Sequence, residues 1–322
     1  MRWWAALAGL VLATSAHGAL AQDYPVRPIA IIVPFAAGGP TDVLTRLVGE
    51  HMSRTLKQPI TVENVVGAGG TTGSIRAFRA SPDGYTLVAG NMGSAAAARI
   101  YKQIPYDPAQ FEPVGMIAYT PMFVAVRKDF PAQTLQDFVE HAKKNPGTVT
   151  LGHAGVGSTS HLVCLLLTRS TSVNTREVAY PGTGPAVNDL VAGKIDSMCD
   201  QAPTIVPQIK SGAVRGLAIA QKERSKAAPE VPTAGEAGLP DFEATGWNAL
   251  FAPRGTPRAV VDKLNQALQA ALSDGTIKTR VDEFGAVAPS PEEASPQRLG
   301  EFVRSEMERW SRIIQAGGVT AP

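Results

Sequence analysis

Ile29-Ala30-Ile31-Ile32-Val33-Pro34-Phe35-Ala36-Ala37-Gly38-Gly39-Pro40-Thr41-Asp42 begins as an apolar, strand-like run and passes into a glycine turn free of cationic side chains. It continues into a stripe at Val43, Leu44, Leu47, Val48 and Met52 that is spaced for a helix. A second unit follows at once: Ile60-Thr61-Val62-Glu63 leads through Asn64-Val65-Val66-Gly67-Ala68-Gly69-Gly70-Thr71-Thr72-Gly73 to Ile75 and Phe78. A strand feeding a glycine loop at a helix start leaves backbone N–H groups unpaired, and the positive end of the helix dipole lies behind them. That arrangement suits an anion. Two such ends side by side can grip one carboxylate.

Working outward, strand-like and helix-like runs alternate almost to the end of the chain, which predicts parallel α/β sheets. Thr86 to Ala89 reads as a strand, Ala95 to Ile100 as helix, and Val114 to Ala118 and Phe123 to Val126 as two extended pieces. Thr134 caps a helix with Asp137 as its capping-box acid, and Asn145-Pro146-Gly147 ends it. Val149-Thr150-Leu151 enters a third glycine turn, Gly152 to Ser158. A fourth unit runs from Arg176-Glu177-Val178-Ala179 through Tyr180-Pro181-Gly182-Thr183-Gly184-Pro185 to a helix ending at Val191. Ile195 to Asp200, Leu217 to Ala220 and Ala249 to Phe251 read as further strands. Thr256-Pro257 and Ser295-Pro296 announce two C-terminal helices, whose apolar stripes are core-facing surfaces.

The N-terminus predicts export. Met1-Arg2, an apolar run from Trp3 to Ala13 and Ala19-Leu20-Ala21 form a secretory signal over residues 1–21, with a short membrane anchor as the alternative. Its removal takes away Arg2 and no acid, so the formal charge falls from +2 to +1. Such a balance gives no electrostatic case for nucleic acid or an anionic membrane. About 300 mature residues exceed what one core usually serves, so two lobes are expected. Cys164 and Cys199, the only cysteines, lack metal-site spacing and are too few for a disulfide scaffold. They either pair in an oxidising compartment or remain buried thiols.

Enzyme motifs are missing where they would be diagnostic. Gly155-Val156-Gly157-Ser158 lacks the glycine two places after serine that a nucleophile elbow requires. Gly67 to Ser74 has neither the Walker lysine nor Rossmann spacing. The five histidines, with His17 in the signal segment, show no metal spacing. No cofactor or metal is expected.

Taken in order, Val33 to Asp42, Asn64 with Gly67-Ala68-Gly69-Gly70, and Asp83-Gly84-Tyr85-Thr86-Leu87 resemble the N-terminal motifs of the Bug, or TctC-like, solute receptors. Gly155 to Ser158 with His161, Tyr180 to Ala186 with Asp189-Leu190, Val231-Pro232-Thr233 with Glu236 to Pro240, and Phe251-Ala252-Pro253 are similar in the same sense. The resemblance spans the whole mature chain. It implies a two-lobed α/β fold of the type II periplasmic-binding-protein kind. It also implies delivery of a small carboxylate to the membrane permease of a tripartite tricarboxylate transporter. The chain is expected to act as a monomer in the periplasm. A periplasmic sensor feeding a signalling partner, or an exported hydrolase, is the competing reading.

The resemblance further implies that the ligand carboxylate is held by backbone amides of Phe35, Ala36, Ala37, Gly38, Gly39 and Thr41 and of the turn Asn64, Gly67, Ala68, Gly69 and Gly70. Asn91 and Ser94 are candidates for added polar contacts or for an ordinary cap. Asp42 is read as a brace for the first loop, with direct ligand contact as the alternative. Ser158, Thr159, Tyr180, Thr183 and Asp200 are second-lobe candidates, each with a plain role as cap, core edge or turn residue. His161 reads as a structural hydrogen-bonder. Asp200, if it reaches the cleft, selects an amine or protonated group. The division expected is residues 22–123 with 248–322 as lobe 1 and 124–247 as lobe 2, hinged near 123–126 and 247–251.

Overall fold

The computed structural model describes residues 24–101 and 104–317. The expected signal segment, residues 1–21, lies outside them. The first half contains β1 (Ile29–Val33), α1 (Pro40–Leu56), β2 (Ile60–Asn64), α2 (Thr71–Phe78), β3 (Thr86–Asn91) and α3 (Met92–Ile100). A long strand, β4 (Glu112–Arg127), crosses to the second half. That half contains α4 (Leu135–Lys144), β5 (Thr150–His153), α5 (Thr159–Thr171), β6 (Arg176–Ala179), α6 (Thr183–Val191), β7 (Ser197–Gln201), α7 (Ala202–Lys210) and β8 (Val214–Ile219). The chain returns through β9 (Thr245–Ala252) and ends in α8 (Arg258–Ser273), α9 (Gly275–Glu283) and α10 (Pro296–Gly317).

Each half repeats one plan. β1 pairs in parallel with β2 and β3, and β5 pairs in parallel with β6 and β7. Antiparallel strands complete the sheet, with β9 between β3 and β4, and β4 flanked by β7 and β8 further along its length. The partners of β4 change between adjacent residues: Pro121 opposes Thr245 of β9, and Met122 opposes Gln201 of β7.

The sequence reading splits this region into two extended pieces, whereas the structure makes it one strand of 16 residues. Thr120-Pro121 breaks the apolar pattern, but a proline costs no ladder bond where the pairing is being handed from one partner to another. Two further differences concern helices. Helix α8 starts at Arg258 with Pro257 as N-cap, and the Thr256 hydroxyl instead donates to the Pro253 carbonyl at 2.8 Å. Helices α7 and α9 are additions to the sequence reading. The Thr134 capping box is present as read: its hydroxyl accepts the Asp137 amide at 3.1 Å, and the Asp137 carboxylate accepts the Thr134 amide at 2.9 Å.

Apolar faces seal each half. Ile29, Ile31 and Val33 pack with Leu44, Val48 and Met52 of α1 and with Leu264 and Leu268 of α8. Phe123, Met198, Leu190 and Ile205 form the corresponding core of the second half. Full burial of each such side chain contributes roughly 1.5–3 kcal/mol. These cores hold the carboxyl ends of two three-stranded parallel sets facing one another, the place where open α/β sheets bind ligands. Among the described residues no helix is long and apolar enough to cross a membrane.

Candidate functional site

The two glycine turns meet in space. The Asn64 side chain donates to the Phe35 carbonyl at 3.0 Å and to Asp42 Oδ1 at 2.8 Å, tying the second turn to the first. The Phe35 ring covers Gly70 so closely that a Cβ there would lie 2.8 Å from its Cζ. Asp42 lies in the first turn of α1, where its Oδ2 accepts the Gly38 amide at 3.0 Å, and Arg46 closes a salt bridge to Oδ1 at 2.9 Å. Burial pushes this carboxyl up, but hydrogen bonds from Arg46, Asn64 and Gly38 together outweigh it and hold the group below the usual carboxylate range. Its charge is committed to the loop.

The donors divide into used and free. The Gly38 amide goes to Asp42, the Ala36 amide to the Pro181 carbonyl at 3.0 Å, and the Gly70 amide to Gly67 at 3.0 Å. The amides of Phe35, Ala37, Gly39, Thr41, Gly67, Ala68 and Gly69 have no acceptor among the described residues. Gly38, Gly67, Gly69 and Gly70 take positive φ, as does Ala68 at 45°. A non-glycine residue held in that region is a local strain of the kind found at ligand clamps.

Two neighbouring spaces, which share Ala154 in their walls, lie against all of these donors but Ala37. An inner one with a cavity volume of about 20 Å³ is lined by Phe35, Gly39, Thr41 and Asn91 from the first half and by Ser158, Thr159, Thr183 and Gln201 from the second. An outer one with a cavity volume of about 400 Å³ lies between Gly67 to Gly70 and the stretches Ala154 to Val156 and Ala179 to Pro181. The walls also touch directly: the Gly93 amide donates to Thr159 Oγ1 at 3.2 Å, and the Tyr101 hydroxyl to the Val156 carbonyl at 2.8 Å.

The candidate residues fall into distinct roles. The Asn91 side chain caps α3 by accepting the Ser94 amide at 3.1 Å and also donates to Thr41 Oγ1 at 3.1 Å. Ser94 completes that capping box and lines a separate apolar cavity with Tyr106, Phe111 and Trp247. Ser158 caps α5 through the His161 amide. Tyr180 borders the outer space and donates to Asp189 Oδ2 at 2.9 Å. Asp200 is fully buried behind the inner space, with Oδ2 bonded to the Thr204 hydroxyl and Oδ1 without a partner among the described residues. Burial pushes its carboxyl up to about 7.

Gln201 and Ser160 line the inner space and escape the sequence reading. A signal for Gln201 exists in hindsight: it ends its strand as Asn91 ends the matching strand of the first half. Cys164 and Cys199 are both free and buried, and the Cys199 amide donates to Cys164 Sγ at 3.2 Å.

His153, His161 and Glu177 cluster behind the third glycine turn. Nδ1 of His153 accepts the Gly155 amide at 3.2 Å, and Nδ1 of His161 accepts the Gly157 amide at 3.1 Å. An imidazole that accepts at Nδ1 while neutral carries its proton on Nε2. The Nε2 atoms therefore face Glu177 as donors, at 4.0 Å from His153 and 3.6 Å from His161, not as metal ligands. The pair braces the third turn. Burial, with His161 alongside, pushes His153 down to about 4.

A two-lobed α/β chain with a cleft between facing strand ends is a solute-binding receptor of the periplasmic-binding-protein class. MatC from Rhodopseudomonas palustris, solved with bound malate, superposes with a TM-score of 0.88 at 42% identity over 90% of this chain and 100% of that one. The periplasmic binding protein BugD gives a TM-score of 0.89 at 40% identity over 92% and 99% of the two chains. BugT of Bordetella pertussis is 33% identical over 318 residues, 97% of each chain. Residues 44–319 match the model of the tripartite tricarboxylate transporter family receptor. The chain belongs to that receptor family.

Proposed function

We propose that this chain captures a small carboxylate outside the cytoplasm and delivers it to the permease of a tripartite tricarboxylate transporter. The observation that carries the reading is the set of unpaired amides at Phe35, Gly39 and Thr41 beside the inner space and at Gly67 to Gly69 beside the outer one. Donors fixed by a fold bind an anion with little side-chain ordering, and charge-assisted hydrogen bonds are the strong ones. Asp42 does not oppose the ligand, because Arg46 neutralises it locally. The relative MatC was solved with bound malate, a small carboxylate of the class proposed here.

Closure supplies the signal to the permease. We place the hinge where the strands exchange partners, at Pro121-Met122 and near Ala244-Thr245, a few residues before the 123–126 and 247–251 expected from the sequence, so that the described residues before Met122 and after Ala244 form one lobe and 122–244 the other. Ligand that touches both walls favours the closed form, because only differential contact shifts such an equilibrium. A signal peptide over residues 1–21 sends the chain to the periplasm. A thermal-shift screen of small organic acids on the mature protein tests the capture step. A ligand at 100 times its Kd stabilises the folded state by about 2.7 kcal/mol, and a screen in which no carboxylate raises Tm rejects the proposal.

A further inference from the structure

We propose that Gln201 and Thr183 form a second ligand subsite on the far wall of the inner space, one that reads a hydroxyl group, so that the ligand is a hydroxylated carboxylate. This deepens the carboxylate-capture reading and rests on it.

Gln201 and Asn91 occupy matching positions, each the last residue of the third parallel strand of its half and the N-cap of the helix that follows. Asn91 turns its side chain back to cap its helix, whereas Gln201 makes no such cap. Its Oε1 instead accepts the Thr120 hydroxyl at 2.6 Å and the Asn248 amide at 2.9 Å. Both lone pairs of that carbonyl are thereby occupied, which fixes the plane of the carboxamide and assigns its NH2 end. That end has no acceptor among the described residues, on a side chain that lines the inner space while only 3% exposed. It is a fixed donor.

Thr183 lines the same space, and its buried hydroxyl has no partner among the described residues. Asp200 lies behind it with Oδ1 equally unpartnered. A Thr183 hydroxyl turned toward Asp200 presents its lone pairs to the cleft and becomes an acceptor there. The subsite then offers one donor and one acceptor. An ammonium only donates and a carboxylate only accepts, so each leaves one of the two groups unpaired, whereas a hydroxyl satisfies both.

The test is calorimetric titration of the mature protein with matched acids: malate and succinate, lactate and propionate, 2-hydroxyglutarate and glutarate, with aspartate as the amine counterpart. A site built to hydrogen-bond a hydroxyl rejects the analogue that lacks it, so the preferred hydroxy acid is expected to bind at least about tenfold tighter than its deoxy partner and tighter than aspartate. Thr183→Val and Gln201→Leu each remove most of that preference while the deoxy acid binds as before, and Thr183→Ser, which keeps the hydroxyl, retains it. Equal affinities within a pair that binds overturn the hydroxyl assignment and leave carboxylate capture standing. Aspartate binding tightest overturns it in favour of an amine. Failure of every acid to bind overturns the carboxylate reading itself and this inference with it.

Discussion

The Ala36 amide donates to the Pro181 carbonyl at 3.0 Å, joining the first glycine turn of one half to the turn that opens α6 in the other. The neighbouring Gly182 is what permits this approach, since a Cβ there would lie 2.8 Å from the Ala36 nitrogen. Gly182 has φ of 172°, an extended conformation open to any residue. Gly182→Ala therefore adds bulk between the walls without straining its own backbone. The variant is expected to keep its far-UV circular dichroism and to bind ligand at least tenfold more weakly, about 1.4 kcal/mol. An unchanged Kd shows that the walls need not meet.

Asp42 holds both the Gly38 amide and the Arg46 guanidinium. Asp42→Ala is expected to cost about 2 kcal/mol in denaturant unfolding, in the range for hydrogen bonds to a charged group, and to weaken carboxylate binding by loosening the first turn. Because the folded value of this carboxyl is lowered, its contribution is present above the ordinary aspartate value near ~4 and fades as pH falls through the folded one. The gap between variant and parent therefore narrows in acid. A gap independent of pH points to packing instead of charge.

Asp200 and His153 set opposing pH dependences. With its carboxyl pushed up to about 7, the folded chain keeps a proton on Asp200 that the unfolded chain releases, so stability falls as pH rises from roughly 4 to 7. His153, pushed down to about 4, stays neutral in the fold while the unfolded residue binds a proton, so stability falls as pH drops from roughly 6.5 to 4. Asp200→Asn is expected to raise Tm above the parent at pH 8 and to lose that advantage by pH 4. A constant offset across that range refutes the buried, neutral carboxyl.

Burial pushes the Cys164 thiol well up, which leaves it protonated and poorly nucleophilic. Iodoacetamide is expected to leave native protein unlabelled and to add two groups in guanidinium, one for each free cysteine. Labelling that requires a reductant as well as denaturant reveals a disulfide between them.

Much of this was legible from local chemistry. Units that pair a strand with a glycine turn and a helix announce themselves within a dozen residues, as does the Thr134 and Asp137 capping box. The continuity of β4 was not legible, because Pro121 reads as a break until both partner strands are in place. Gln201 was invisible for a related reason: its orientation is set by Thr120 and Asn248, 81 and 47 residues away in the chain, and no local pattern encodes that. Ser94 shows the converse, a polar residue at a turn whose environment is an apolar cavity.

The central claim is that uncharged backbone donors hold the ligand's carboxylate, and amide chemical shifts report on it most directly. In a ¹H–¹⁵N titration with an acid that raises Tm, the amides of Gly39, Thr41, Ala68 and Gly69 are predicted to move downfield together and saturate at the calorimetric Kd. Saturated binding that leaves those amides in place contradicts the account.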